Sequence, residues 1–228
     1  MNKALIIAAH PDDDILGCAG LMSKYRGKVE FRVIFIAEGS SCRFNKDQID
    51  NEKVVKVIEE RNSFGIKALE ELGVENYYFY NLPCGRLDQV AIIDINKIIE
   101  KEIQDFKPDT VFTHSFEDTN NDHIIVHRAT QIATRPGSGT FVEKVYTYEV
   151  LSSSEWRFTH TFSPNYFESL SKKDVRNKWS ALAEYESEIK EYPYPRSEEG
   201  IFSLAKYRGL QSGNAYAEAF KLIRQIIK

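Results

Sequence analysis

Apolar residues along the first 135 positions fall into short runs and longer periodic stretches that alternate. The short runs have the length and composition of strands that are covered on both faces. They lie at residues 4–9, 29–37, 77–80 and 110–114. The periodic stretches carry apolar side chains at helical spacing and lie at residues 15–25, 51–72 and 90–106. This alternation predicts a Rossmann-like three-layer α/β fold, with right-handed crossovers and a mainly parallel sheet between two layers of helices.

Residues beyond 140 follow a different pattern, with two β-rich stretches and a helical region. We expect two added strands near the sheet edge, of either direction, then a helix, a proline-punctuated loop and two short helices. The first four of these elements cover residues 144–151, 163–168, 171–190 and 192–196. Ser171 and Asp174 are spaced as a capping box, and Asp88 is predicted to cap the helix at 90–106. No repeat or low-complexity linker interrupts the sequence, so residues 1–228 are predicted to form one domain.

The bulk composition narrows the functional classes. With 228 residues, 42% of them hydrophobic, the chain can bury one sizeable core. The formal net charge of -4 provides no broad cationic field, so we expect no nucleic-acid partner. No apolar run approaches the roughly 18 residues that span a bilayer, and no cleavage site follows the first apolar stretch. We therefore expect a soluble, cytoplasmic protein without a transmembrane segment.

The cysteines do not suggest a disulfide framework or a cysteine zinc cluster. Their number is odd and none forms a CxxC pair, so all three are expected to be buried small side chains. They are Cys18, Cys42 and Cys84.

Two clusters of histidine and aspartate stand where predicted strands end. The segment 10–14 follows the first strand, and the segment 114–123 follows the fourth. Because the carboxyl ends of parallel strands share one edge of a sheet, a crevice there can bring both clusters together. A catalytic zinc takes about three nitrogen or oxygen ligands, which neither segment alone is expected to supply. The pair of clusters predicts a metal site, for which the rings of His10 and His123 must lie within about 8 Å of each other.

Each of these residues also has an ordinary structural use. Acids in the first turn of a helix commonly cap it, and this use applies to Asp12, Asp13 and Asp14. A single histidine at a strand end is usually a hydrogen-bonded structural residue. The coincidence of His-x-x-Asp after one strand with Asp-His after another favours the metal site.

Motifs along nearly the whole chain resemble the PIG-L/LmbE family of zinc-dependent N-acetyl-sugar deacetylases. Residues 9–14, Ala-His-Pro-Asp-Asp-Asp, resemble the family's Ala-His-Pro-Asp-Asp-Glu signature, and residues 120–123, Asn-Asn-Asp-His, resemble its distal ligand motif. Further similarity lies at residues 60–61, 82–87 and 216–220. The resemblance implies an amidase whose cofactor is zinc or another divalent transition metal.

The resemblance also implies a role for each motif residue. His10, Asp13 and His123 would be the metal ligands, and Asp12 would be the general base. Two neutral imidazoles and one carboxylate leave a bound zinc with net positive charge, which lowers the pKa of its water toward about 7. Asp12 would accept a proton from that water and pass it to the departing amine. Asp122 would orient a histidine, and capping of the helix is its alternative use.

One position departs from the family pattern. Some members have a histidine three residues before the distal ligand that assists the oxyanion or the leaving group, whereas this chain has Asn120. Asn120 can donate a hydrogen bond to a substrate but cannot deliver a proton, so His114 is the candidate for that catalytic role. His127 shares the helical face of His123, and both a metal-related and a structural role are open for it.

Arg61 is the main candidate for substrate contact. Its family counterpart lies near the pocket, and a guanidinium can hold a phosphate or sugar hydroxyls. No acid lies three or four positions away, yet an ion pair with another element is its alternative use. Glu38 and Arg43 are expected near the mouth of the site. Substrate contacts and structural ion pairs are both open for three residues of the carboxyl-terminal motifs: Arg196, Arg208 and Glu218.

These features predict removal of the acetyl group from an N-acetylated amino sugar in bacterial glycan biosynthesis. The substrate would be a small molecule, a nucleotide sugar or a lipid-linked or other glycoconjugate, and a homo-oligomer is compatible with the sequence. A non-catalytic zinc- or sugar-binding module of the same fold is the alternative, and the presence of Asp12 argues against it. Phosphatases of the haloacid-dehalogenase type do not need His10, and a nucleotide-binding Rossmann module needs glycines where this chain has acids.

Overall fold

Seven strands form one sheet in the computed structural model, which describes residues 1–137 and 141–227. In chain order the strands are β1 (Lys3–Ala8), β2 (Glu30–Ala37), β3 (Asn76–Leu82), β4 (Thr110–His114), β5 (Lys144–Tyr148), β6 (Tyr166–Ser169) and β7 (Ala217–Gln225). The sheet order is β3-β2-β1-β4-β5-β7-β6. Strands β1 to β5 are parallel, whereas β7 runs antiparallel to both β5 and β6. The prediction of a mainly parallel α/β sheet is confirmed.

Helices cover both faces of this sheet. In chain order they are α1 (Asp13–Lys24), α2 (Glu52–Leu72), α3 (Ile92–Phe106), α4 (Asn121–Ala133), α5 (Lys172–Ala183) and α6 (Glu198–Ser212). Successive side chains of a strand point to opposite faces, so Ile6 and Leu5 belong to two different cores. Helices α1, α2, α5 and α6 pack in the core of Ile6, and α3 and α4 pack in the core of Leu5. The three-layer prediction is therefore confirmed.

The carboxyl-terminal region differs from the sequence prediction. Two short helices were expected after residue 196, but the structure has the single helix α6 and then the strand β7. Residues of β7 have good helix propensity, and pairing with β5 and β6 on both sides overrides that local preference. The Asp88 cap is also wrong, because Ala91 precedes α3 and Asp88 lies in a separate short turn of 3-10 helix.

A buried ion pair between Lys178 and Glu218 forms hydrogen bonds with backbone groups of α1. Glu218 of β7 accepts hydrogen bonds from the amides of Gly20 (3.0 Å) and Leu21 (2.7 Å), in the middle of that helix. Lys178 of α5 donates to Glu218 Oε1 (2.7 Å) and to the carbonyl oxygen of Leu16 (2.6 Å). In a regular helix the Leu16 carbonyl accepts from the amide of residue 20. The pair therefore ties α5 and β7 to α1, the helix that begins at Asp13.

The topology positions two helix amino termini at one crevice. Strand β1 lies between β2 and β4, so the connection order reverses beside it, which is where open α/β sheets place their sites. Helix α1 follows β1 and helix α4 follows β4. Among the described residues, no helix is both long and apolar enough to cross a membrane.

Candidate metal centre and active site

Three side chains converge at the crevice between β1 and β4. Asp13 Oδ2 lies 3.2 Å from His10 Nδ1 and 3.2 Å from His123 Nε2. The His10 and His123 ring centroids are 5.4 Å apart, well inside the separation that the metal prediction allows. Tetrahedral ligands with bonds of about 2.0–2.2 Å lie about 3.3 Å from one another, so this spacing suits one ion. We call these three residues the His-Asp-His centre.

The state of its polar atoms fits a cation. His123 Nε2 is buried, and its contact with Asp13 Oδ2 at 3.2 Å does not have hydrogen-bond geometry. Two imidazoles and a carboxylate are also the donor types that zinc and related ions prefer. Burial opposes ionisation of Asp13, but the neighbouring histidines outweigh it and hold the pKa of Asp13 well below its ordinary value. The result is a fully buried negative charge that faces two imidazole rings.

The negative charges around the centre raise the pKa of both histidines. Burial lowers the pKa of His10, but hydrogen bonds to Asp122 and Asp13 outweigh it and raise the pKa to about 9. Burial likewise opposes charge on His123, whose pKa is raised to about 10 by Asp13 and Asp118. The same field that holds these protons attracts a divalent cation, which would replace them.

Two further carboxylates hold the outer ring nitrogens. Asp122 Oδ2 lies 3.0 Å from His10 Nε2, and Asp118 Oδ1 lies 3.1 Å from His123 Nδ1. Asp122 was predicted to orient a histidine because it precedes His123, yet in the structure it contacts His10. Asp118 was not selected from the sequence. Burial opposes its ionisation, but its hydrogen bonds, first of all with His123, lower its pKa to about 2. Paired carboxylates of this kind fix the orientation of metal-binding imidazoles.

Asp12 stands beside the centre in an unusual backbone conformation. It is the residue before α1, with φ of 112°, and only 1% of it is exposed. Oδ2 pairs with Arg61 Nη2 at 3.0 Å and also with Arg196 Nη1, whereas Oδ1 is buried without a partner among the described residues. Burial raises the pKa of Asp12 despite both guanidinium groups. A strained residue with one oxygen anchored and one free is characteristic of a functional site.

Arg61 supports Asp12 and lies under it. The guanidinium donates to the carbonyl oxygen of Pro11 and pairs with Asp12 and with Glu188, which lies 2.6 Å from Nη1. Only 5% of Arg61 is exposed. These ion pairs with acids from other elements match the alternative use of Arg61, and its contact with substrate stays a prediction. Glu188 was not recognised from the sequence, since nothing local relates it to residue 61.

His114 lies beneath the centre. The ring is fully buried, is stacked on His123 at 3.9 Å between centroids, and accepts the amide hydrogen of Ala9 at Nε2 (2.8 Å). The Tyr148 hydroxyl lies 3.2 Å from the same nitrogen. Burial and the neighbouring His123 hold the pKa of His114 well below its ordinary value. These contacts suit a neutral supporting ring, and the catalytic role assigned to His114 from the sequence stays a prediction.

Asn120 caps helix α4. Its Oδ1 accepts the amide hydrogen of Asp122 at 3.0 Å, so this oxygen is committed to the helix. His127 Nδ1 lies 2.9 Å from the carbonyl oxygen of His114, which is the structural one of its two predicted uses. Neither contact places these side chains among the ligands of the His-Asp-His centre.

Loops from three parts of the chain close around Asp12. Glu38 is buried and accepts the amides of Ser41 (2.9 Å) and Cys84 (2.8 Å), so it ties two loops together. Arg43 pairs with Glu188 at 2.5 Å near the surface. Arg196 donates to Ser152 Oγ at 2.7 Å besides pairing with Asp12. Arg43 and Arg196 thus meet at Glu188, and Glu38 holds the loops at residues 38–41 and 84 together.

Two remaining features lie outside the crevice. Arg208 forms a structural ion pair with Glu149, at 2.5 Å from Nη2. A cavity of about 820 Å³ opens between α5 and α6, and its described lining, which includes Trp179, Phe202 and Tyr216, contains no member of the His-Asp-His centre. This cavity is therefore separate from the candidate metal site.

Comparison with known proteins relates the whole chain to deacetylases and to one other activity. Residues 5–134 match the PIG-L family, GlcNAc-PI de-N-acetylase. The chain is 23% identical over 232 residues to the diacetylchitobiose deacetylase of Thermococcus kodakarensis. The matched region covers 98% of this chain and 84% of that protein.

Solved structures share the fold at low identity. Teicoplanin deacetylase in its zinc-inhibited form has a TM-score of 0.76 at 16% identity and covers 97% of both chains. The 4-carboxy-2-hydroxymuconate hydratase of Pseudomonas putida KT2440 has a TM-score of 0.74 at 20% identity and covers 100% of this chain and 98% of that chain. Because one fold carries both amide hydrolysis and hydration, the function has to be argued from the site.

Proposed function

The chain belongs to the PIG-L family of GlcNAc-PI de-N-acetylases, and on this basis we propose that it is a metal-dependent amidase acting on an N-acetylated amino sugar. The observation that carries the proposal is the arrangement of the crevice. Two imidazoles and one carboxylate converge within 4.8 Å of one another, beside a buried carboxylate with one free oxygen. This combination supports the proposal, since it would place a cation site and a general base next to each other.

His10, Asp13 and His123 would hold the metal, for which we propose zinc or another divalent transition ion. Bound there, the ion would polarise the amide carbonyl and make water more acidic. Asp122 and Asp118 would keep the two imidazole rings in orientation through their outer nitrogens.

Asp12 would move the proton. Its free Oδ1 accepts a proton from the attacking water as the water oxygen bonds to the amide carbon. The carbon–nitrogen bond then breaks, and Asp12 returns the proton to the leaving nitrogen, so that acetate and a free amine result. Arg61 and Arg196 hold Oδ2 and so fix the direction of the other oxygen. Burial raises the pKa of Asp12, which makes its carboxylate a stronger proton acceptor than an ordinary aspartate.

The substrate is proposed from the relatives as a class. The named deacetylases act on diacetylchitobiose and teicoplanin, so we propose an amino sugar that is free or part of a glycoconjugate in bacterial glycan biosynthesis. The expectations of a single domain over residues 1–228 and of a cytoplasmic location stay predictions.

Acetate release tests the proposal directly. The purified chain is incubated with N-acetylglucosamine, diacetylchitobiose and nucleotide-, lipid- and aryl-linked N-acetyl sugars, with and without a chelator. We expect release from a subset of this panel that stops with the chelator. Asp12→Asn is expected to lower the rate by about 100-fold or more while the bound metal is retained. Asp88→Asn is the matched control, since Asp88 is exposed.

Two results would contradict the proposal. Equal rates for Asp12→Asn and the wild type would remove Asp12 from the mechanism. No acetate release from any compound, with metal bound, would favour a non-catalytic module or hydratase chemistry.

A further inference from the structure

Cys84 lies close to His10 and Asp122, next to the His-Asp-His centre. The two nitrogens of the His10 ring have different neighbours, since Nδ1 faces Asp13 and Nε2 faces Asp122. One ligand atom from each of His10, Cys84 and Asp122 lies within 4.8 Å of the others. All three residues are buried, with exposed fractions of 7%, 4% and 1%. A thiol, an imidazole and a carboxylate thus meet in a protected place next to the His-Asp-His centre.

Hydrogen bonds from its backbone amides hold the loop that carries Cys84 in place. The amide of Cys84 donates to Glu38 Oε1 (2.8 Å), and the amide of Gly85 donates to Asp122 Oδ2 (2.6 Å). Gly85 has φ of 69°, and a Cβ on it would stand 2.9 Å from the Cβ of Cys42. Glycine is therefore required here both for the conformation and for the close approach of the neighbouring loop. These backbone contacts hold residue 84 near the carboxylate, and the Cys84 thiol itself is in contact with the Cys42 thiol.

We propose that His10 Nε2, Cys84 Sγ and Asp122 Oδ2 form a second metal position, which takes a thiophilic divalent cation such as zinc. Thiolate and imidazole ligands select zinc and related ions over magnesium and calcium. Binding releases two protons to solvent, one from the thiol and one from His10 Nε2, because both atoms must be deprotonated to coordinate. The His-Asp-His centre lacks sulfur, so the two positions differ in spectroscopic signature.

Occupation of the second position changes the first. The hydrogen bond between His10 Nε2 and Asp122 cannot persist when a cation occupies that nitrogen. His10 then loses the carboxylate that orients it for the His-Asp-His centre. Cation bound in excess of one equivalent is therefore inhibitory, a consequence that rests on the proposed function, whereas the binding itself does not.

Cobalt(II) titration tests the binding without any activity. The full chain, kept reduced, is titrated with Co²⁺ while absorption and bound metal are followed. We expect two ions per chain, with thiolate-to-cobalt charge-transfer absorption that grows with the second equivalent. Cys84→Ser should lose this absorption and bind one ion. Cys42→Ser is the neighbouring-thiol comparison, because the Cys42 side chain, which is exposed and not buried as expected from the sequence, contacts the Cys84 thiol. This variant should keep the absorption if Cys84 is the ligand.

Several outcomes would overturn the proposal. One ion in the wild type without charge-transfer absorption excludes the second position, and this result needs no variant. Absorption that persists in Cys84→Ser, or that is lost only in Cys42→Ser, assigns the ion to another thiol. Circular dichroism checks that both variants are folded.

The inhibitory consequence has its own experiment. Zinc is added beyond one equivalent to the wild type and to Cys84→Ser under the acetate-release assay. We expect at least a several-fold loss of rate in the wild type and little loss in the variant, each relative to the rate of the same protein at one equivalent of zinc. Equal inhibition of both proteins would refute the coupling. Absence of acetate release from either protein would refute the proposed function and leave the cobalt result to decide on the second position.

Discussion

Replacement of Lys178 by methionine is expected to destabilise the fold strongly. Lys178 and Glu218 are each 6% exposed, and their ion pair enters the backbone hydrogen bonding of α1. Removal of one partner of a buried pair costs about 3–5 kcal/mol, because the other charge stays buried without its counterion. Glu218 keeps two backbone donors in Lys178→Met. We therefore expect the lower end of this range, about 3 kcal/mol.

Urea unfolding followed by circular dichroism measures this change. With a slope of about 1–3 kcal/mol per molar urea, a loss of about 3 kcal/mol lowers the midpoint by about 1 M or more. Lys24→Met is the matched control. Lys24 pairs with Glu168 at 2.5 Å, but a third of its side chain is exposed, and the buried Glu168 keeps hydroxyl donors from Tyr25 and Tyr166. Removal of Lys24 should therefore cost less than removal of Lys178, about 1 kcal/mol.

A double variant tests the cause. In Lys178→Met combined with Glu218→Met, no buried charge is left, and the Gly20 amide is free to bond to the Leu16 carbonyl. The double variant should therefore be more stable than Lys178→Met alone. The reasoning is refuted if Lys178→Met costs no more than Lys24→Met, or if the second substitution adds a further loss.

Two other predictions concern the ligand supports and the pH dependence of stability. Asp118→Asn and Asp122→Asn should each weaken metal binding by about 10–100-fold, since each carboxylate holds the outer nitrogen of one histidine. Competition with a chromophoric chelator measures the affinity, and an unchanged affinity in both variants would contradict the support role. Burial opposes ionisation of Asp109, but a neighbouring hydroxyl and the amides at the start of β1 lower its pKa below the ordinary value. The contribution of Asp109 to stability is therefore full above about pH 4 and is lost as the pH falls through the lower folded-state pKa. The difference in unfolding free energy between the wild type and Asp109→Asn should shrink on acidification. A difference that stays constant with pH would contradict this prediction.

The alternating half of the fold was predictable because local preference and tertiary packing agree there. The fourth strand was predicted at residues 110–114 and is found at Thr110–His114. Strand β7 was not predicted, because its helix-forming residues become extended only through pairing with β5 and β6. That pairing joins residues distant in the sequence, and no local pattern records it.

The candidate site divides in the same way. His10, Asp13 and His123 follow strand ends, so the topology alone predicts that they meet. The supports do not follow this rule. Asp122 is adjacent to His123 on a helix, where neighbouring side chains point in different directions, and Asp118 from the preceding loop reaches the ring instead. Glu188 comes from the segment after α5, whose position depends on the packed fold.

The central position of β7 in this half of the sheet has a consequence for synthesis on the ribosome. Strand β6 joins the sheet only through β7, although β6 is made first. A nascent chain that has not reached residue 217 leaves the hydrogen-bonding edge of β5 open, and such edges invite pairing with other chains. The same segment delivers Glu218 to α1. The helix that begins at Asp13 thus acquires this anchor only after residue 218 has been synthesised, and until then the edge of β5 is open to pairing with other chains.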